Sequence, residues 1–118
     1  MPSAALLASG LAAAFACGSI PFGYLAGRLR GIDVRQHGSG NIGATNVGRV
    51  LGKPWFFVVF LLDAAKGIAA VLLGSALAPG APEWLRPALG LAAVLGHNYC
   101  PWLGFKGGKG IATTAGVL

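Results

Sequence analysis

The chain has 118 residues, 55% of them hydrophobic and 10% charged, with a formal net charge of +6. Soluble domains carry about 25% charged residues, so this composition excludes an ordinary water-facing surface. The bases lie beside apolar runs, with the aromatic residues mostly inside or at the ends of those runs. That arrangement argues against a nucleic-acid partner and leaves membrane topology and binding of anionic substrates or lipid headgroups.

The first expected membrane segment covers residues 3–25, which contain no charge. A helix of about 20 apolar residues crosses the hydrocarbon core of a bilayer. No Lys or Arg precedes the run, and it continues past Cys17, so it reads as a span and not as a removable signal peptide. Cys17 and Cys100 share no metal or Cys-x-x-Cys spacing and read as small buried hydrophobes. The loop over 26–54 carries Arg28, Arg30, Arg35, Arg49 and Lys53. A second span over 54–78 opens on Trp55, Phe56 and Phe57, and a third over 87–103 ends on Tyr99 and Trp102. Aromatic residues favour such positions, where spans meet headgroups. The turn over 104–110 adds Lys106 and Lys109, whereas the 79–87 loop has only Arg86, offset by Glu83. Seven bases against one place the N-terminus outside and both basic loops in the cytoplasm. A fourth span would begin at 110 and is cut off at 118. The expectation is one all-α, polytopic membrane domain with three full spans and the start of a fourth, an apparently truncated chain.

Three segments carry chemistry. Gly38-Ser39-Gly40-Asn41-Ile42-Gly43-Ala44-Thr45-Asn46, followed by Arg49, combines glycines that let the backbone approach an anion with amides able to form a nest. Ser39, Asn41, Thr45 and Asn46 add neutral donors, and Arg49 adds a planar fork suited to phosphate. Gly38, Gly40 and Gly43 match a dinucleotide fingerprint by letter only, because no strand precedes them. The second segment, Gly104-Phe105-Lys106-Gly107-Gly108-Lys109-Gly110, offers amides and two lysines ahead of an apolar helix, another anion site, on the same face as the first. The third is Asp63 and Lys66 inside the second span, where each charge costs roughly 2.5–3.5 kcal/mol at the bilayer centre. Their i,i+3 spacing allows pairing on one helix face. That favours a pair that fixes helix packing behind the site over a functional one. His97, near the cytoplasmic end of the third span, reads as a hydrogen-bonded packing residue, with a general base as the other reading. His37 reads as solvated.

Taken with Gly18-Ser19-Ile20-Pro21-Phe22-Gly23-Tyr24, Leu62-Asp63-Ala64-Ala65-Lys66-Gly67 and Gly96-His97, these blocks resemble the bacterial acyl-phosphate-dependent glycerol-3-phosphate acyltransferases, collinearly from Gly18 onward. The resemblance implies an enzyme that moves an acyl chain from acyl phosphate to the 1-hydroxyl of glycerol-3-phosphate, giving lysophosphatidic acid, in the bacterial cell (inner) membrane among its lipids. It implies that Ser39, Thr45 and Arg49 bind substrate phosphate, with Gly107, Gly108 and Lys109 at the glycerol-3-phosphate site; the residues themselves add Gly40, Asn41 and Asn46 to the expected phosphate cradle. Asp63, Lys66 and His97 are candidates for a supporting role. It also implies no protein general base, because the acyl phosphate can accept the hydroxyl proton; neither a metal nor a cofactor is expected. Family members are about twice as long, with about seven spans, so a further functional segment is expected beyond this one. The residues alone leave two other classes open: a transporter of phosphorylated metabolites and a non-catalytic membrane subunit.

Overall fold

A computed structural model describes residues 2–104, which contain helices and turns and no strand. Ser3 starts the first helix, α1 (Ala4–Gly18), by accepting the Leu6 amide at 3.3 Å. The expected span over 3–25 is not one helix. It stops at Gly18 and resumes as α2 (Phe22–Leu29). The cause is Pro21, which has no N–H and whose ring would collide with the carbonyl one turn back. Ser19 closes the end of α1, its amide reaching Phe15 O at 2.9 Å and its hydroxyl Ala16 O at 2.7 Å.

The segment expected as a loop over 26–54 also contains helix. After the rest of α2 and a 3₁₀ turn at Val34–Gln36, α3 (Ala44–Leu51) leads through Gly52 into α4 (Lys53–Leu77). Pro54 sits in the first turn of α4, where its missing N–H costs nothing. α5 (Leu85–Asn98) follows, and a 3₁₀ turn at Pro101–Leu103 closes the described chain. The third expected span, 87–103, is therefore helical only to Asn98. Residues before proline avoid the helical region, and Cys100 precedes Pro101 with ψ 114. The fourth expected span lies outside the described residues.

Two of the described helical stretches, Ala4–Leu29 and Lys53–Leu77, are long and apolar enough to cross a membrane. At 1.5 Å per residue, a helix the length of α4 extends about 37 Å. Its outward face carries Phe57, Leu61, Ile68 and Leu72, between 49% and 65% exposed. Such a stripe is costly in water and favourable in lipid.

Small residues let α1 approach both neighbours. Gly10, Ala14 and Gly18 are buried one turn apart on one face of α1, the small-xxx-small pattern of close membrane-helix packing. A Cβ on Gly18 would collide with the Ala93 carbonyl of α5. This half of the core comprises Ala14, Ala70, Ala78, Leu85, Leu89 and Ala93. A second cluster of Ala26, Val34, Ile42, Ala44, Val47 and Val59, flanked by Tyr24 and Phe56, lies under the glycine-rich loop. It seats that loop on α2, α3 and α4.

Candidate functional site

One side chain makes most of the hydrogen bonds that hold the loop between the 3₁₀ turn and α3. Asn46 is 2% exposed. Its Oδ1 accepts the Ser39 amide at 3.0 Å, and its Nδ2 donates toward Val34 O (3.3 Å), His37 O (3.1 Å) and Asn41 O (2.8 Å). Asn41 Oδ1 accepts the Gly43 amide at 2.7 Å, and Ser39 Oγ accepts the Asn41 amide at 3.3 Å. Gly38 and Gly40 supply the positive φ values, 55° and 76°, that the turn needs.

This corrects two expectations. Asn46 is not an outward donor, because its amide is turned inward and used by the loop itself. Nor are the loop amides an open nest, since those of Ser39, Asn41 and Gly43 are satisfied by side chains and that of Gly40 by His37 O at 2.9 Å. The start of α3 differs from the loop in this respect. Gly43 precedes that helix without a capping side chain, and the first amides of a helix have no acceptor within it. Thr45 and Arg49, both exposed, stand one turn apart on the same face of α3. Ser39 is exposed beside them in sequence, and among the described residues Arg49 has no ion-pair partner. Gly107, Gly108 and Lys109 lie outside the described residues.

The other arginine of this loop is committed elsewhere. Arg35 grips Asp33 with Nε at 3.0 Å and Nη2 at 2.8 Å, and its guanidinium lies 4.7 Å from the centre of the Tyr24 ring. The guanidinium beside Asp33 pulls its carboxyl down to about 2. A depressed folded-state value means that this pair contributes at all pH above the ordinary carboxylate range and is lost only as pH falls through about 2. Arg35 is thus a fastener of the loop to α2, a role that the sequence hinted at only through the Asp-x-Arg spacing.

Deeper in the bundle, Lys66 Nζ lies 3.2 Å from Asp63 Oδ1, with both side chains 2% exposed or less. The ion pair is not aligned as a hydrogen bond, and Asp63 Oδ1 has no hydrogen-bond partner among the described residues. His97 Nδ1 is 2.7 Å from the same ammonium. Among the described residues no group of three His, Cys, Asp or Glu could hold a metal.

The model of the family described as glycerol-3-phosphate acyltransferase matches residues 8–118. A glycerol-3-phosphate acyltransferase of Myxococcus xanthus (strain DK1622) is 60% identical over 105 residues, covering 88% of this chain and 54% of its own length. One of Synechococcus sp. (strain JA-3-3Ab) is 59% identical, covering 86% of this chain and 49% of its own length. The crystal structure of PlsY (YgiH), an integral membrane glycerol 3-phosphate acyltransferase in its glycerol 3-phosphate form, superposes with a TM-score of 0.84. That pair is 46% identical, over 94% of this chain and 55% of the other. PlsY in its lysophosphatidic acid form gives a TM-score of 0.82 at 45% identity. The chain spans about half the length of the curated relatives it matches. It is a multi-pass membrane protein in kind.

Proposed function

This chain belongs to the glycerol-3-phosphate acyltransferase family, and from that premise we propose that it carries the phosphate-binding loop of an acyl-phosphate:glycerol-3-phosphate acyltransferase. The observation that supports this most directly is the pairing of Thr45 and Arg49 on the exposed face of α3, at a helix start with no side-chain cap. Two anionic headgroups repel each other, and a guanidinium with a positive helix end offsets that repulsion. The 1-hydroxyl oxygen of glycerol-3-phosphate bonds to the acyl carbon. The bond from that carbon to the phosphate oxygen breaks, and inorganic phosphate leaves with the hydroxyl proton. No protein base is required by this balance. Holding both substrates at one surface replaces a bimolecular encounter with a local one. The acyl tail stays in the bilayer, alongside the apolar face of α4.

The proposed location is the bacterial inner membrane, and the charge asymmetry of the loops supports an orientation with the N-terminus outside and residues 26–54 and 104–110 facing the cytoplasm. The test is to supply acyl phosphate and radiolabelled glycerol-3-phosphate to membranes carrying the complete natural gene product that contains this chain. Labelled lysophosphatidic acid supports the proposal. Its absence, with the protein inserted, overturns it.

The seat of the loop on α2 gives a second test. A Cβ on Gly23 would collide with the Ile42 carbonyl and press on Val47. Gly23→Ala is therefore expected to lift the loop and lower turnover about 10- to 100-fold, with unchanged amounts of inserted protein. Wild-type turnover in this variant would mean that the seat is irrelevant to activity.

A further inference from the structure

We infer that Lys66 is a positioning residue: its ammonium group pins the break between α1 and α2 and so sets the seat of the phosphate-binding loop, with His97 held as an acceptor through Nδ1. This inference rests on the acyltransferase reading above.

An ammonium has three N–H donors and no acceptor. Around Lys66 Nζ stand Asp63 Oδ1 at 3.2 Å, Ile20 O at 2.8 Å and His97 Nδ1 at 2.7 Å. Two of these, Ile20 O and His97 Nδ1, are hydrogen-bond partners, and the Asp63 carboxylate is the ammonium's counter-ion. The three partners belong to α4, to the break after α1, and to α5, so one side chain joins these elements. The Phe22 ring lies 5.8 Å from the ammonium, and the side chain is 2% exposed, so water does not compete for it.

The break supplies the reason. In a continuous helix the Ile20 carbonyl would be tied to the amide four residues on. Pro21 ends that ladder, leaving Ile20 O with the Phe22 amide at 3.1 Å and Lys66 Nζ. Backbone polar groups at membrane depth need partners within the protein. Neighbouring groups do the same for Ser19: Cys100 Sγ donates to its carbonyl at 3.0 Å, and Trp102 Nε1 donates to its hydroxyl at 3.2 Å. From Ile20 the chain runs directly into α2, where Gly23 rests on the Ile42 carbonyl. Ile42 adjoins Gly43, which starts the helix that carries Thr45 and Arg49. A displaced break therefore moves the phosphate cradle.

The contact also fixes His97. With the Asp63 carboxylate as its counter-ion, Lys66 is the donor at 2.7 Å, so Nδ1 is bare and the ring proton sits on Nε2. Such an imidazole has no lone pair left to take a substrate proton. His97 is a member of the clamp and not a general base.

The test uses the complete natural gene product in membranes. The double variant Asp63→Leu/Lys66→Met removes the clamp without stranding one buried charge. Asn at position 97 keeps an acceptor near the place of Nδ1, and Leu does not. The double variant and His97→Leu are expected to lower kcat/KM about 10- to 100-fold, chiefly through KM for glycerol-3-phosphate. His97→Asn should stay close to wild type. Adding His97→Leu to the double variant should cost nothing further, because the residues act as one unit. Equal activity of His97→Asn and His97→Leu, or wild-type kcat/KM in the double variant, would overturn the inference. A readout independent of activity is the ¹⁵N spectrum of histidine-labelled protein, with His97 assigned by its loss in His97→Asn. Nδ1 should be unprotonated and Nε2 protonated, and a proton on Nδ1 would overturn the clamp whatever the turnover. If wild-type membranes make no product, the acyltransferase reading fails, and the spectrum alone decides the role of Lys66.

Discussion

Arg49→Ala is expected to abolish formation of lysophosphatidic acid while leaving the protein inserted and helical. Arg49 is exposed on α3 and has no ion-pair partner among the described residues, so its removal strands no buried charge. What it removes is the planar fork that a phosphate engages through two parallel hydrogen bonds. Loss of one preorganised donor to developing charge typically lowers turnover by about 10²–10³, and in the proposed site Arg49 would also offset repulsion between two phosphates. The loss should therefore reach or exceed the top of that range. Arg49→Lys should recover part of it, because an ammonium restores the charge and not the fork. The measurement is radiolabel transfer from glycerol-3-phosphate at matched protein levels. Turnover of the alanine variant within a few-fold of wild type would remove Arg49 from the site.

What the sequence revealed depended on which physical signal was being read. Apolar run length identified α4 well, since a long apolar stretch in a membrane admits little besides helix, even with Asp63 and Lys66 inside it. The same signal misled at residues 3–25. The run stays apolar through Pro21 to Leu25, so its length hid a break that the proline alone announces. A similar weakness affected 87–103, where Cys100-Pro101 ends the helix inside an apolar stretch. α3 was hidden for another reason. Its first residues were read as part of the glycine-rich block, although Ala44, Val47 and Leu51 recur at helical spacing and all turn inward. The spacing of Asp63 and Lys66 showed that they could pair. Only the fold reveals that Lys66 also reaches the Ile20 carbonyl and His97, because those partners are 46 and 31 residues away. Residue type is equally silent about direction: Ser39, Asn41, Thr45 and Asn46 all look like donors to an anion, yet only packing shows which face outward.

Asn46 turns that distinction into an expected result. Asn46→Asp should be more damaging than Asn46→Ala, and both should reduce lysophosphatidic acid formation toward the level of Arg49→Ala. The aspartate keeps an oxygen for the Ser39 amide but replaces the donor that faces the carbonyls of Val34, His37 and Asn41. Oxygen would then face oxygen at a site 2% exposed to solvent, with a buried charge added. Alanine merely leaves those groups unpaired, at about 1–3 kcal/mol for each one that stays buried. Activity alone would not separate this from direct contact with phosphate, because an aspartate would repel a phosphate as well. Limited proteolysis separates them. If Asn46 fastens the loop, both variants should expose the Arg35–Gln36 bond to trypsin while the Lys66–Gly67 bond inside α4 stays protected. If instead it touches the ligand, cleavage should match wild type even where turnover is lost, and the loop would then be held by the Asp33–Arg35 fork and the packing of Val34 and Ile42 alone.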